Sequence, residues 1–182
     1  MRPATGWGVT VMREASSNHY ERAFESWLID NRIEYVRADE HKRAVSARRK
    51  VKSFDFLVHP RRGPAIIAEV KGRSFRGASL ERLTGFECWV TGEDVEGLAR
   101  WQEALGGGHE AAFIFAYKVE KIDVDFDGRE VLEFGGRRYI FFCIKLDDYR
   151  AHMKRRSPKW GTVTLAAEKF RQCAVHINRL LL

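Results

Sequence analysis

The stretch Phe54-Asp55-Phe56-Leu57-Val58-His59-Pro60-Arg61-Arg62-Gly63-Pro64-Ala65-Ile66-Ile67-Ala68-Glu69-Val70-Lys71 decides how the rest of the chain is read. Two short runs rich in aliphatic and aromatic residues, 53–59 and 65–71, flank a Pro-Arg-Arg-Gly-Pro turn, which is the pattern of a β-hairpin. Side chains alternate between the faces of a strand, so Glu69 and Lys71 project from the same face, two residues apart. If the two strands pair, Asp55 can reach that same place. Two carboxylates and an ammonium at the ends of apolar strands are costly unless something compensates them. A hard divalent cation is the natural compensator, because Mg²⁺ typically takes one or two carboxylates together with phosphate and water. The competing reading of Glu69 and Lys71 is a surface ion pair at a strand end, worth under about 1 kcal/mol.

Upstream, residues 18–31 carry Phe24, Trp27, Leu28 and Asn31 at helical spacing, with Ser17 or Asn18 as N-cap. Glu21 lies three residues before Phe24 and seven before Leu28, so the spacing puts it on their apolar stripe. An acid aimed inward there would join Asp55 and Glu69, with Glu25 a lesser candidate for the same place. The alternative is that Glu21 is a capping-box acid three residues after Asn18. Residues 33–37 read as a short strand and 73–90 as largely loop. Residues 93–105 read as a helix capped by Thr91 and stopped by Gly106-Gly107-Gly108. The dense apolar run 111–119 is a strand buried on both faces. Strands are expected at 122–126, 131–134 and 138–146, with a turn at Asp127-Gly128. Helices from 147 to about 155 and from about 165 to 179 complete the chain.

Composition narrows the class. The chain of 182 residues is 45% hydrophobic and 12% aromatic, which excludes a disordered tail and suffices for a real core. No apolar run approaches the roughly 18 residues of a membrane-spanning helix, and residues 1–17 lack the apolar stretch of a secretory signal. Cys88, Cys143 and Cys173 are widely spaced and form no CxxC pair, which points to a reducing cytoplasm and away from a disulfide scaffold or a cysteine zinc site. The net charge is +7, and its distribution is uneven. Half of the 32 Lys and Arg residues fall in the segments 41–52, 61–76 and 150–159, whereas 81–110 is acidic. That asymmetry suggests a basic face toward a polyanion, nucleic acid above all, although solvated basic loops would give the same pattern. The run Asp123-Val124-Asp125-Phe126-Asp127-Gly128 begins like a calcium loop but has Phe134 where the twelfth-position Glu belongs, and a hairpin accounts for it better. His19 and His59 lie close enough in sequence to line the site, and the six histidines show no zinc spacing. Lys154-Arg155-Arg156-Ser157-Pro158-Lys159-Trp160 mixes cations with an aromatic, as single-strand binders do. It equally fits a helix C-terminus with favourable dipole charges.

Asp55, Glu69-Val70-Lys71 and Glu21 together resemble the motif of the PD-(D/E)xK, restriction-endonuclease-like nuclease superfamily, with Phe54 standing where the family name has Pro. The helix around Glu21 through Ile33, and the helix after Glu-x-Lys, are locally similar to archaeal-type Holliday-junction resolvases. His19-Tyr20-Glu21-Arg22-Ala23-Phe24-Glu25 also looks like the signature of the uncharacterised bacterial HYExAFE family. The superfamily resemblance covers about 18–118. It implies an α/β (α+β) core of order α-β-β-β-α-β, a mixed central sheet flanked by helices, over 18–119. Residues 1–17 would be an N-terminal segment and 120–182 a strand-helix extension packed on the same domain. It implies Mg²⁺-dependent (or Mn²⁺-dependent) hydrolysis of phosphodiester bonds in DNA. Asp55, Glu69, the Val70 carbonyl and Glu21 would hold metal, and Lys71 would orient or deprotonate the attacking water and stabilise the developing charge. Lys42, Arg43, Arg48, Arg49, Lys50, Lys52, Arg73 and Arg76 would grip DNA phosphates. Enzymes that cut two strands favour two-fold homodimers, and the region after 119 is open as a dimer or specificity element. Two other readings stay open: a nucleic-acid-binding module on this fold with little or no catalysis, and a basic-faced protein-interaction subunit.

Overall fold

The computed structural model describes residues 19–38 and 53–182. The expected N-caps Ser17 and Asn18, and the basic residues Lys42, Arg43, Arg48, Arg49, Lys50 and Lys52, lie outside the described residues.

The chain runs α1 (His19–Asp30), β1 (Glu34–Arg37), β2 (Phe56–His59), β3 (Ala65–Phe75), β4 (Val90–Thr91), α2 (Gly92–Leu105), β5 (His109–Val119), β6 (Leu132–Phe134) and β7 (Arg137–Lys145). It continues α3 (Leu146–His152), β8 (Lys154–Ser157), β9 (Thr162–Thr164), α4 (Ala167–Cys173), β10 (Val175–His176) and α5 (Ile177–Leu181). Seven strands form one mixed sheet in the order β1-β2-β3-β5-β7-β10, with β6 pairing to β7. The hairpin signature at 60–64 is realised as antiparallel β2–β3, with Phe56 opposite Ala68. β3 and β5 are parallel along eleven residues, Ala65 to Phe75 against His109 to Val119. α2 supplies the crossover that parallel neighbours require.

β5 shows why the sheet is covered on both sides. Its odd residues Ala111, Phe113, Phe115 and Tyr117 join one core cluster, with Val95 and Leu98 of α2, Tyr149 of α3 and Phe170 of α4. Its even residues Ala112, Ile114 and Ala116 face the other cluster, with Ala23, Phe24, Trp27 and Leu28 of α1. The two alanines leave room for the Phe24 and Trp27 rings of α1, whereas the aromatic face meets both the aliphatics of α2 and the rings of Tyr149 and Phe170. Tyr20 extends this packing to β3. A Cβ built on Gly72 would lie 2.0 Å from the Tyr20 ring, so the ring lies directly on the strand backbone.

Three sequence expectations change. Residues 122–126 form no strand and contribute one isolated bridge, Ser79 to Asp125. Backbone hydrogen bonds from Leu80 and to Ala78 pin Asp125 instead to the loop after β3. The helix begun at Leu146 ends at His152, because Lys154–Ser157 pairs with β9 in a second sheet of order β4-β9-β8. The expected helix over 165–179 is interrupted where Val175 and His176 pair with Cys143 and Phe142 of β7. In the last two cases tertiary strand pairing overrides a local helical pattern. The hairpin tip in this region is Gly135-Gly136, at φ 57° and 71°, the left-handed values of a two-residue turn. Among the described residues no helix is long and apolar enough to cross a membrane, and Cys88, Cys143 and Cys173 are all unpaired thiols.

Gly72→Ala is expected to lower stability by about 1–3 kcal/mol, the usual cost of overpacking. Chemical denaturation measures it, and Tyr20→Ala in the same chain should remove most of the difference.

Candidate active site

β2 stops at Phe56, so the Val70 N–H of β3 has no strand partner on that side. The Asp55 carboxylate supplies one, accepting the Val70 N–H at 2.7 Å. The backbone repeats the pairing, since Asp55 N–H donates to Ala68 C=O at 2.9 Å. Carrying the β2–β3 register one step past Phe56 and Ala68 sets Asp55 across from Glu69, on the face toward α2. The hairpin alone therefore brings the Asp and the Glu-x-Lys together.

Glu69 is 6% exposed, and its Oε1 accepts from Lys71 Nζ at 2.8 Å. The same ammonium lies 3.1 Å from Oδ2 of Asp94, itself 3% exposed. Asp94 belongs to the first turn of α2, where it forms a capping box with Thr91. Asp94 N–H donates to Thr91 Oγ1 at 3.1 Å, and Thr91 N–H donates to Asp94 Oδ2 at 2.9 Å. One carboxylate oxygen thus closes the start of α2 and also holds the lysine of β3.

Glu69 has two other carboxylates, Asp55 and Asp94, and one ammonium around it, and the imbalance shows in its titration. Burial raises its carboxyl first and the Asp55 charge raises it further, against the lowering influence of Lys71, so that it is pushed up to about 7. Burial works against the Lys71 charge, but Glu69 and Asp94 outweigh it and raise the lysine above its ordinary value. Among the described residues no group of three or more His, Cys, Asp and Glu side chains is arranged as a metal cage. The donor chemistry nonetheless suits a hard cation: a buried carboxylate whose ionisation a neighbouring carboxylate opposes is relieved by a positive charge between them, and Mg²⁺ needs no more than one or two protein carboxylates.

Glu21 is placed differently from the expectation of an inward acid. It lies at the margin of the α1 stripe, its side chain 23% exposed, and its carboxylate binds Arg37 Nη2 at 3.1 Å. Arg37 also holds Glu25 at 2.9 Å, and Tyr35 donates to Glu25 at 3.0 Å. Arg37 stands opposite Phe56 and over its ring, so this acid-arginine group occupies the α1 face of the sheet. Glu69, Lys71 and Asp94 gather on the α2 face. A positive partner arriving from β1, with no signal in the local pattern of α1, accounts for the difference.

Of the two expected phosphate ligands in the described region, Arg76 is exposed. Arg73 is engaged within the fold: its guanidinium donates to the carbonyls of Gly72 and Trp89 and lies 3.8 Å from the Trp89 ring centroid. His59 is exposed at the far end of β2, and His19 packs at a tilt against Tyr20 on the α1 face. Trp101 meets Phe54 edge-on at 5.2 Å. Asp94 is the residue that sequence reasoning missed. Its signal was Thr91-x-x-Asp94, a capping box whose acid also faces the strand end that carries Lys71.

These parts define a restriction-endonuclease-like fold: a mixed sheet with α1 on one face, α2 on the other, and a carboxylate-lysine group where β2, β3 and α2 meet. Among solved structures, the chain superposes on Hjc, a Holliday junction resolvase from the archaeal hyperthermophile Archaeoglobus fulgidus, with a TM-score of 0.51, 13% sequence identity, and coverage of 90% of this chain and 98% of that one. The likeness is one of fold. No protein-family model matches the chain and no curated protein matches its sequence, so the HYExAFE resemblance rests on residues 19–25 themselves.

Because the folded-state Glu69 carboxyl titrates above its ordinary value of 4.5, its neutral form favours the folded state. That contribution is fully present below pH 4.5 and is lost as pH rises through about 7. In EDTA, the melting temperature of the wild type relative to Glu69→Gln should therefore fall across that window, and thermal melts at several pH values measure it. Asp94→Ala should cost at least the roughly 0.5–2 kcal/mol of a lost N-cap interaction. Asp94→Glu should recover less than half of that loss in denaturant melts, since the longer side chain cannot close both bonds.

Proposed function

We propose that this chain is a metal-dependent nuclease that hydrolyses phosphodiester bonds in DNA. The observation that carries the reading is the meeting of Asp55, Glu69 and Lys71 on one face of a resolvase-like sheet, with Asp94 behind the lysine. A pure binding module has no evident use for buried carboxylates beside a phosphate, since they would repel it.

Asp55, Glu69 and the Val70 carbonyl would hold Mg²⁺ or Mn²⁺, which supplies Lewis-acid chemistry: a more acidic bound water and neutralisation of charge on the phosphate. Asp55 is kept in place by the Val70 N–H, so it needs no reorganisation when the substrate arrives. Lys71 keeps its proton, because two carboxylates lie within 3.1 Å of its ammonium. It therefore acts as a donor to the developing negative charge and to the attacking water, and not as the base. Asp94 aims that ammonium from the rigid first turn of α2. Glu21 takes a supporting part at the same end of the sheet, where Arg37 holds it. Arg76 and the basic residues Lys42, Arg43, Arg48, Arg49, Lys50 and Lys52 supply salt-dependent contacts to phosphates without reading sequence. The work belongs in the cytoplasm, where DNA and reduced thiols coexist. A two-fold homodimer is the geometry for cutting both strands.

The test is cleavage of labelled single-stranded, duplex and four-way-junction DNA in Mg²⁺ or Mn²⁺. Wild type should cut, and Asp55→Ala, Glu69→Ala and Lys71→Ala should each lose at least about a hundredfold in rate, the scale of removing one electrostatic contributor. Cutting that persists in all three variants, or its absence in the wild type, would overturn the reading.

A further inference from the structure

The basic run ending in Trp160 admits two readings from sequence, and the structure removes one of them. α3 ends at His152, and Lys154, Arg155 and Arg156 lie on a strand, so these cations do not complete a helix terminus. They belong to the β8–β9 hairpin, which is tied to the active site on two sides. Near its tip, Gly161 C=O accepts the Gly92 N–H at 2.8 Å, at the first residue of α2 and two residues before Asp94. Along β8, the Arg156 guanidinium lies 5.1 Å from the Trp89 ring centroid, the ring that Arg73 also covers. Arg73 follows Lys71 by two residues on the same face of β3. The hairpin is thus anchored both to the helix that holds Lys71 and to the strand that carries it.

At the tip Trp160 is 69% exposed, with Lys159 Nζ 5.3 Å from its ring centroid. Lys154, Arg155 and Arg156 are exposed as well, and no acid occurs between Asp148 and Glu168. An exposed indole amid cations, in a stretch without an acidic residue, suits a polyanion that also offers a flat apolar face. Nucleic acid has both, but the bases of an intact duplex are stacked on each other and present only their edges. Only an unpaired or splayed base can lie on the indole.

We propose that the β8–β9 hairpin is where the protein takes a DNA strand containing an unpaired base, which stacks on Trp160 while Lys154, Arg155 and Lys159 hold the flanking phosphates. The proposal rests on the nuclease reading for the identity of the ligand as DNA. It adds that the substrate carries unpaired nucleotides beside the scissile bond.

The test is fluorescence anisotropy in EDTA, where no cutting occurs, with labelled single-stranded, forked and blunt duplex oligonucleotides. Trp160→Ala should weaken binding to the single strand and the fork by about fivefold to a hundredfold, the worth of stacking one base on an aromatic ring. Its effect on blunt duplex should stay within about twofold, and Trp160→Phe should retain most of the single-strand affinity. Lys154→Ala and Lys159→Ala should each reduce the salt dependence of single-strand binding by about 0.7 in log–log slope. Trp160→Ala that binds the single strand like wild type, or that loses single strand and duplex equally, would overturn the proposal. So would a wild type that binds no single strand, even if it cuts duplex in Mg²⁺. Selective loss in Trp160→Ala supports the hairpin's role even in a protein that never cuts, and in that case only the nuclease reading falls.

Discussion

Lys71 is the joint of this structure. Its ammonium bridges Glu69, on its own strand, and Asp94, on the helix that crosses from β3 to β5. Removing one partner of such a buried pair leaves an uncompensated charge, at a cost of about 3–5 kcal/mol. The same contact fixes where α2 begins, because the Asp94 carboxylate that holds the lysine also closes the capping box with Thr91. Helix start, strand register and lysine position are therefore one constraint. The group is also charge-deficient: Glu69 lies among two other carboxylates and a single ammonium, and its own carboxyl resists ionising.

The sheet gives that joint its rigidity. β3 and β5 run parallel for eleven residues, and β5 is buried on both faces by two separate clusters. Phe113, Phe115 and Tyr117 pack toward α2 and α3, so the α2 face of the sheet is stiffened by aromatics beside the carboxylate-lysine group. On the opposite face Tyr20 lies directly on Gly72, next to Lys71, and ties the start of α1 to the same stretch of β3. Side chains held by packing and hydrogen bonds on both sides are the condition for a preorganised site.

The region after β5 is built into this arrangement. β7 extends the central sheet, and Tyr149 of α3 donates its hydroxyl to the carbonyls of Cys88 and Val163, joining the central core to the small sheet. Burial holds that hydroxyl well above the ordinary tyrosine range, so it serves as a permanent donor. Through this bond and the stacking of Arg73 and Arg156 on Trp89, the β8–β9 hairpin is a rigid rim of the site.

Local sequence determined the hairpin of β2 and β3, the amphipathic α1, the capped α2 and the doubly buried β5, because each is encoded by short-range periodicity and turn chemistry. It also determined that Asp55, Glu69 and Lys71 meet, since a single hairpin register brings them together. The tertiary structure alone decided that Glu21 turns to Arg37 and that Asp94 joins Lys71. It likewise decided that the chain after His152 and at 175–176 leaves the expected helices to pair as strands. Those outcomes depend on partners far away in sequence, whose charges and unpaired backbone groups no local window contains.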